Sequence, residues 1–334
     1  MLSAVLFLIF AFSMATFSEL GRVEAVAKLF EGTGYKPFLE PLFFETAALD
    51  TVFTASRALL EGVDFDLTYF PLKHLGYKSV VAVTGELYAS LSRPQTLGVV
   101  LGVSAKLDYD QIKELWEGVV TACKEYGYKY LSLELEPSKN GLCISVNAAG
   151  SRSKQTSVHI SRPQSKDLVC ISGRLGAAYL GQQVLERKPD ELQKYRMMLA
   201  AYLKPELDPG VLRQLDEASV APSSGYFVTK GLADAVLRLG RDSGLGVKIY
   251  ADKIPFEGNS FSLGRELDVD PVSAAMNGGD DHVLMYVVPI AQFEAFSKEF
   301  KTFSVIGHMA QPEVGAVLVS PDGLEHPVSA PGWL

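Results

Sequence analysis

Two adjacent carboxylates, Asp280 and Asp281, are the residues best suited to chemistry in this chain. They follow Gly278 and Gly279, and a pair of glycines lets the backbone approach a ligand closely. Neighbouring carboxylates can hold a hard cation such as Mg²⁺ or accept hydrogen bonds from a polar substrate. An aspartate-rich turn that only precedes a strand would have the same sequence, so the pattern alone leaves both interpretations open.

A second pair of glycines, Gly173 and Gly176, lies between an apolar segment and a helical pattern. Backbone N–H groups at the start of a helix can bind an anion, although tight packing of a strand against a helix uses the same glycines. The sequence contains no GxxxxGK[ST] phosphate loop, no HExxH zinc motif and no GxSxG serine elbow. Its five histidines are scattered, without the spacing of metal ligands.

The periodicity of apolar residues predicts the elements that must position these side chains. Residues 108–126 predict a helix, because apolar residues recur every three or four positions and Gly127 follows as a stop signal. Residues 78–90 begin with an apolar run that is typical of a buried strand. Further strands are predicted at 97–104, 142–148, 168–172, 283–288 and 314–320, and further helices at 176–186, 188–204, 229–242 and 291–300. Strands and helices are mixed in both halves, which predicts two α/β-type domains.

The composition is that of a globular protein, since 48% of the 334 residues are hydrophobic and 21% are charged. A chain of this length typically forms about two domains of ~150 residues each. The formal net charge of −8 disfavours nucleic-acid partners, because an acidic surface repels phosphate backbones. The three cysteines form no CxxC pair, so we expect reduced and buried thiols.

Residues 1–13 are uncharged and almost wholly apolar, but no basic residue precedes the apolar run as it does in a signal peptide. We interpret them as an extension ahead of a start at Met14 and expect a cytoplasmic protein without a membrane partner; export is the alternative. The polar segment 149–166 predicts a boundary between a domain of residues 14–150 and a domain of residues 151–334.

Several segments, in order and spacing, resemble the thiamine-monophosphate kinase family of the aminoimidazole-ribonucleotide-synthetase superfamily. The similarity extends over nearly the whole chain from about Phe17. The segments are 60–78, which resembles LVEGVHFDL…LGYKA, 172–181, which resembles TGDLGAAYLG, 277–281, which resembles NGGED, and 303–307 with 331–333, which resemble the terminal IGH…GW.

The resemblance implies the synthetase-like fold: an N-terminal sheet domain that forms a homodimer and a C-terminal α/β domain. It implies ATP-dependent phosphorylation of thiamine monophosphate to thiamine diphosphate, with several Mg²⁺ ions held between aspartates and the nucleotide phosphates. Such a mechanism is chemically reasonable, because phosphoryl transfer depends on positioning and charge neutralisation more than on a protein nucleophile.

Most aspartates of that family are replaced in this chain. Of seven acidic family positions, three remain acidic and two have become cationic, so the local charge changes from −7 to −1. A cation about 4 Å from a unit charge costs about 4 kcal/mol at an effective dielectric constant of ~20, and Mg²⁺ carries two charges. Arg57 and Lys230 therefore conflict with the family's metal arrangement, although both could bind phosphate directly. The seven positions are Glu45, Thr46, Arg57, Glu86, Glu134, Phe227 and Lys230.

The resemblance also implies nucleotide-binding and metal-binding residues. Tyr126 matches the ATP-contacting tyrosine and Thr229 matches the serine of the ISD motif, whereas the arginine of RSGA is replaced by Ile160. The implied nucleotide set is Tyr126, Glu134, Thr229, Lys230 and Arg57, and the metal ligands of a working kinase would be Glu45, Glu86, Glu134 and Asp281.

Three further residues fall on the implied substrate side. Asp64 stands in place of the histidine of VEGVHF, and Asp280 matches the acid of NGGED. Trp333 matches the terminal aromatic residue, which could stack on a thiamine ring or equally form a hydrophobic plug at the C-terminus.

The changes are selective, because residues that would build the fold are kept and residues that would touch Mg²⁺ and ATP are replaced. We therefore predict a folded pseudoenzyme, kept for binding a small phosphorylated ligand or for interaction, as a homodimer or a heterodimer with a paralogue. One alternative is a working thiamine-phosphate kinase with a reduced metal site, which would need Mg²⁺ and ATP. Another is an enzyme with changed chemistry, in which Lys230 anchors phosphate or acts as a base.

Overall fold

The computed structural model describes residues 27–35, 50–153 and 160–330. Within these ranges, helices pack against two separate β-sheets, one from each half of the chain. The predictions for residues 1–13, Glu45 and Trp333 lie outside the described residues.

The first sheet has four strands in the order β1-β4-β2-β3, and only β2 and β3 run parallel. A long helix, α1, packs on β1 and β4, and helix α2 packs on α1. Helix α2 begins with a capping box at Asp108, whose side chain accepts from the backbone N–H of Gln111. The elements are β1 Thr51–Leu60, α1 Leu72–Ala89, β2 Arg93–Ser104, α2 Tyr109–Glu125, β3 Tyr130–Ser138 and β4 Cys143–Arg152.

The strand predicted at residues 78–90 is wrong, because this segment forms most of helix α1. Fourteen of the 18 residues of α1 are buried, so the helix has no polar face that would reveal its period of 3.6 residues. A short apolar run of this kind reads equally well as a buried strand.

Helices α1 and α2 touch through two glycines that face each other's backbones. A Cβ atom built on Gly76 of α1 would lie 1.9 Å from the carbonyl oxygen of Leu115, and one built on Gly118 of α2 would lie 1.9 Å from that of Lys73. The two helices can approach this closely only because both positions lack a side chain.

The second sheet has seven strands in the order β11-β10-β7-β9-β5-β8-β6, and only β7 and β10 run parallel. Its strands are β5 Leu168–Ser172, β6 Ser224–Val228, β7 Gly246–Tyr250, β8 Val283–Val288, β9 Phe303–Ala310, β10 Ala316–Val319 and β11 Glu325–Pro327. The strands predicted at 168–172 and 283–288 are confirmed with the same ends, and those predicted at 97–104, 142–148 and 314–320 are confirmed to within four residues at their ends.

Six longer helices surround this sheet, and the four predicted in this half are confirmed, one of them with a 3₁₀ first half. The helices are α3 Ala177–Arg187, α4 Arg196–Leu203, α5 Val211–Glu217, α6 Leu232–Ser243, α7 Ser260–Leu267 and α8 Phe293–Glu299. Shorter turns are the 3₁₀ segments Pro189–Tyr195, Ala251–Lys253, Ile290–Gln292 and Pro312–Val314, and the α-turn Pro271–Ser273 that continues as the π-helical turn Ala274–Gly278.

Helix α1 joins the two sheets through one hydrophobic cluster. That cluster contains Val80 of α1 and Ile144 of β4 together with Phe227 of β6 and Tyr286 of β8. The ring of Phe227 lies so close to Gly85 of α1 that a Cβ there would be 2.2 Å from it. The division into domains at 150/151 stays a prediction, since α1 packs on both sides of it.

Two further sequence predictions concern the cysteines and membranes. All three cysteines are free; Cys123 and Cys170 are buried and Cys143 is half-buried. Burial raises the pKa of Cys170 to about 12, so this thiol is unreactive at neutral pH. None of the helices in the described ranges combines the length and the apolar character that crossing a bilayer requires.

Candidate functional site

A buried lysine, Lys78, lies where α1 meets the second sheet, and only 1% of it is exposed. Its ammonium group forms a short ion pair with Asp280 and donates a 2.7 Å hydrogen bond to the carbonyl oxygen of Tyr202. It also lies 4.0 Å from the centre of the Tyr202 ring. Burial lowers the pKa of Lys78, although Asp280 opposes this effect. Lys78 therefore ties α1 to α4 and to the loop before β8.

The loop that carries Asp280 has an unusual backbone. It follows the π-helical turn Ala274–Gly278, and both Asp280 and His282 have positive φ angles, of +66° and +52°. Non-glycine residues in this conformation and π-helical turns are both concentrated at functional sites. The backbone N–H of Asp280 donates to the carbonyl oxygen of Thr229 at 2.7 Å, which fixes the loop against the end of β6.

The side chain of Asp280 is the accessible part of this arrangement, with 28% of it exposed. Burial is the largest single influence and raises its pKa, but Lys78, His282 and Arg57 together outweigh it and hold the pKa of Asp280 below its usual value. Asp280 is therefore an ionised carboxylate at the rim of the junction, where it can accept hydrogen bonds from a ligand.

Asp281 has a different role from its neighbour. Its two carboxylate oxygens accept hydrogen bonds from the backbone N–H groups of Gly176 (2.9 Å) and Ala178 (3.3 Å), at the start of α3. The turn that could have bound an external anion thus holds the carboxylate of Asp281 instead. These contacts engage both carboxylate oxygens of Asp281, the residue that the family resemblance implies as a metal ligand.

Asp281 and His282 are expected to give the folded protein opposite pH dependences. Burial raises the pKa of Asp281 from 3.8 to about 7, so its contribution to stability is full below 3.8 and is lost as the pH rises to about 7. Burial lowers the pKa of His282 from 6.5 to about 4, so its contribution is full above 6.5 and is lost as the pH falls to about 4. Each group changes the free energy of unfolding by at most about 1.4 kcal/mol per pH unit.

Two variants separate these effects. In Asp281→Asn, which can still cap α3, the free energy of unfolding should rise with pH relative to wild type between pH 4 and 6.5. In His282→Gln it should fall with pH over the same range. Urea unfolding at several pH values measures both, and the same sign of change in the two variants would contradict the assignment.

Arg57 and Asp64 form an ion pair beside Lys78. The Nη2 atom of Arg57 on β1 lies 4.0 Å from Oδ1 of Asp64, and both side chains are partly exposed. Oδ2 of Asp64 accepts a hydrogen bond from the backbone N–H of Leu60 at 2.8 Å. The structure thus brings into contact two positions at which the family resemblance implies an aspartate and a histidine.

Glu86 of α1 lies among cations from both halves of the chain. Burial raises its pKa, and Arg238, Arg57 and Lys230 oppose that effect. Arg238 itself pairs with Asp234 within α6, at 3.0 Å between Nε and Oδ2. The exposed Lys230 lies in the loop that leads into α6.

We give the name junction cluster to eight charged residues: Arg57, Lys78, Lys230 and Arg238 with Asp64, Glu86, Asp234 and Asp280. The number of positive side chains equals the number of negative ones, and His282, with a pKa of about 4, adds no charge at neutral pH. The cluster is thus neutral without any bound ion.

The donor set does not fit the Mg²⁺ sites that the family resemblance implies. Among residues 27–35, 50–153 and 160–330, no three His, Cys, Asp or Glu side chains are grouped to hold a metal ion. Any divalent ion at the junction cluster would lie close to several cationic side chains, which repel it.

Glu134 lies on the other face of the first sheet. Leu133 and Leu135 of β3 are buried against the core, so the intervening Glu134 points outward and is exposed. Arg57 lies on the inner face of β1 with the buried Ala55 and Leu59. Within one chain, Glu134 therefore does not join the junction cluster, unlike the predicted residues Arg57, Asp64, Glu86, Lys230 and Asp280.

Tyr126 and Thr229, from the implied nucleotide set, are both buried. The hydroxyl of Tyr126 shares a 2.7 Å hydrogen bond with that of Tyr77 and accepts from the backbone N–H of Leu207 at 3.2 Å. Phe227 is fully buried and its ring packs edge-on against His282. In the sequence, Lys78 is marked only as the end of a family signature and the first residue of the predicted strand at 78–90. A lysine adjoining an apolar run was the signal that could have singled it out.

Over 314 residues, the chain is 21% identical to the thiamine-monophosphate kinase of Aquifex aeolicus. This alignment covers 92% of this chain and 97% of that enzyme. The structure of AaThiL complexed with AMPPCP and TMP has a TM-score of 0.71 at 19% identity, covering 84% of this chain and 87% of that one. Escherichia coli HypE, a hydrogenase maturation protein, has a TM-score of 0.70 at 15% identity, covering 93% and 98%. No protein-family model matches the chain.

The two sheets and their helices thus have the aminoimidazole-ribonucleotide-synthetase-like fold, which the resemblance predicted. By sequence, the chain is similar to thiamine-monophosphate kinases, as the resemblance predicted. A shared fold leaves the activity to be decided by the residues of the site.

Proposed function

We propose that this chain is a pseudoenzyme related to thiamine-monophosphate kinase, which binds a small phosphorylated ligand at the junction cluster without Mg²⁺. The observation that carries this proposal is the ion pair between Arg57 and Asp64 inside a cluster that is neutral by itself. A site that needed Mg²⁺ would instead contain carboxylates without cationic partners, which could bind the metal. Guanidinium and ammonium groups bind phosphate directly, so Arg57 and Lys230 can act as the ligand's counter-charges.

The nucleotide analogue AMPPCP, present in the AaThiL structure, is a suitable probe. Calorimetric titration of the full chain should give the same affinity with Mg²⁺ and with EDTA. Lys230→Ala should weaken binding by about tenfold, the effect of one lost charge-assisted contact. Arg93→Ala is the matched control, because Arg93 pairs with Asp216 away from the junction cluster and its loss should not change the affinity.

A turnover assay with thiamine monophosphate and Mg·ATP completes the test, and we expect no thiamine diphosphate. Binding that requires Mg²⁺, accompanied by turnover, would overturn the proposal and identify a working kinase with a reduced metal site. Loss of that turnover in Glu134→Ala would then place the exposed Glu134 in the site. Absence of binding under both conditions would contradict the nucleotide-binding part of the proposal.

The partner prediction concerns the outward face of the first sheet, where the exposed Val100 of β2 is paired with Glu134 of β3 and Val52 is exposed on the edge strand β1. This face also carries polar side chains such as Ser56 and Asn147, and such a mixture is typical of non-obligate protein–protein contacts. We propose that two copies pair through it, as the family resemblance implies, with an active paralogue as the other candidate partner. Sedimentation of the purified chain distinguishes these cases, since a monomer would exclude the homodimer.

A further inference from the structure

We infer that the carboxylate of Asp64 competes with the ligand's phosphate group for the guanidinium group of Arg57, and that Asp64 thereby limits the affinity of the site. This inference rests on the proposed binding of a phosphorylated ligand, in which Arg57 is one of the two counter-charges. It predicts that the site binds phosphate more tightly once the charge of Asp64 is removed.

The ion pair between Arg57 and Asp64 is loose and open to solvent. The 4.0 Å between Nη2 of Arg57 and Oδ1 of Asp64 is too long for a hydrogen bond, and 28% and 25% of the two side chains are exposed. Partly exposed pairs of this kind are weak. A phosphate group, by contrast, can accept two parallel hydrogen bonds from one guanidinium group. Arg57 can therefore exchange Asp64 for a phosphate that arrives from solvent.

Asp64 is held in place by the turn after β1 rather than by Arg57. Its Oδ2 atom accepts a hydrogen bond from the backbone N–H of Leu60 at 2.8 Å, and its own N–H donates to the carbonyl oxygen of Leu60 at 2.9 Å. The N–H of Gly62 closes the turn by donating to the carbonyl oxygen of Phe65 at 2.8 Å. The carboxylate thus stays beside Arg57 as a fixed negative charge, which also repels an incoming phosphate.

Lys78 cannot take part in such an exchange because its partners enclose it. Its ammonium group is buried and bonded to Asp280 and to the carbonyl oxygen of Tyr202. Arg57 differs because its side chain reaches solvent, while its backbone is fixed opposite Val146 in the ladder between β1 and β4. Only the side chain of Arg57 has to move for the exchange.

Calorimetric titration of the full chain with inorganic pyrophosphate in metal-free buffer tests the inference. We expect Asp64→Asn to bind pyrophosphate about fivefold more tightly than the wild type, the factor that corresponds to the stronger partly exposed ion pairs. The amide oxygen of asparagine can still accept from the N–H of Leu60, so the turn is kept. Asp64→Ser is a second uncharged variant that can accept this bond, and it should show the same gain.

Two comparisons separate competition for Arg57 from a general effect of charge. Asp66→Asn removes a carboxylate two residues further on, which accepts from the N–H of Thr68 at 2.8 Å, and should leave the affinity unchanged. In a chain that carries Arg57→Gln, Asp64→Asn should lose most of its gain, because the guanidinium group that it releases is absent.

The outcomes judge the inference and the proposed function separately. Equal affinities of the wild type and Asp64→Asn, or an equal gain with and without Arg57, would overturn the inference and leave the proposed binding intact. Binding by the uncharged variants alone would support the inference and contradict phosphate binding by the wild type. Absence of pyrophosphate binding in the wild type and in both uncharged variants would overturn the two together.

Discussion

Replacement of Lys78 by methionine is expected to destabilise the protein by about 3–5 kcal/mol, the cost of removing one partner from a buried ion pair. Methionine has nearly the same length, so the loss is mainly electrostatic. Asp280 loses its ion-pair partner, and the carbonyl oxygen of Tyr202 loses the hydrogen bond that satisfies it. The attraction between the ammonium group and the Tyr202 ring is lost as well.

A double-mutant cycle measured by urea unfolding identifies the cause. Asp280→Asn removes the other charge, and the double variant should be more stable than the sum of the two single effects predicts. Lys73→Met is the matched control on the same helix, because its exposed pair with Glu117 is worth about 0–1 kcal/mol. Strict additivity, or a loss in Lys73→Met as large as in Lys78→Met, would show that the ion pair is not responsible.

Alanine at Gly76 or Gly118 is expected to lower the free energy of unfolding by about 1–3 kcal/mol or more, the usual range for overpacking. An alanine in a helix normally stabilises it by about 1 kcal/mol relative to glycine. Here the added carbon would lie 1.9 Å from a backbone carbonyl oxygen of the facing helix. Since neither helix backbone can move without disturbing the core around it, the steric cost exceeds the gain in helix propensity.

Gly240, in helix α6, is the matched control. A Cβ at Gly240 would meet its nearest atom, the carbonyl oxygen of Leu245, at an ordinary 3.5 Å. Gly240→Ala should therefore be neutral or stabilise the protein by up to about 1 kcal/mol. Thermal and urea unfolding of the three variants gives the comparison, and similar effects at Gly118 and Gly240 would contradict the close approach of α1 and α2.

Local sequence signals predicted much of the fold correctly. A regular apolar period and the glycine that follows it predict helix α2, and a compact apolar run after a turn predicts strand β8. Helix α1 was missed for the opposite reason: burial on all sides removes the amphipathic pattern on which such predictions depend. What decides its conformation is packing between two sheets, which no local window of the sequence contains.

The site was predictable as a set of residues but not as an arrangement. Arg57, Asp64, Glu86, Lys230 and Asp280 were all marked by comparison with family motifs, and all lie at the junction cluster. Their pairing depends on contacts between distant positions: Lys78 and Asp280 are 202 residues apart. The capping of α3 by Asp281 spans 105 residues. Only the fold shows which carboxylate meets a lysine and which meets a helix end.

The packing of α1 against both sheets has a consequence for how the molecule folds. One continuous core includes Val80 of α1, Ile144 of the first sheet and Tyr286 of the second, and the Tyr286 hydroxyl donates to the carbonyl oxygen of Tyr88 at 2.8 Å. Neither half can therefore complete its interior alone, since a fragment of residues 14–150 would leave an apolar side of α1 in water. We therefore expect the two halves to unfold in a single cooperative transition, although the polar segment separates them in sequence.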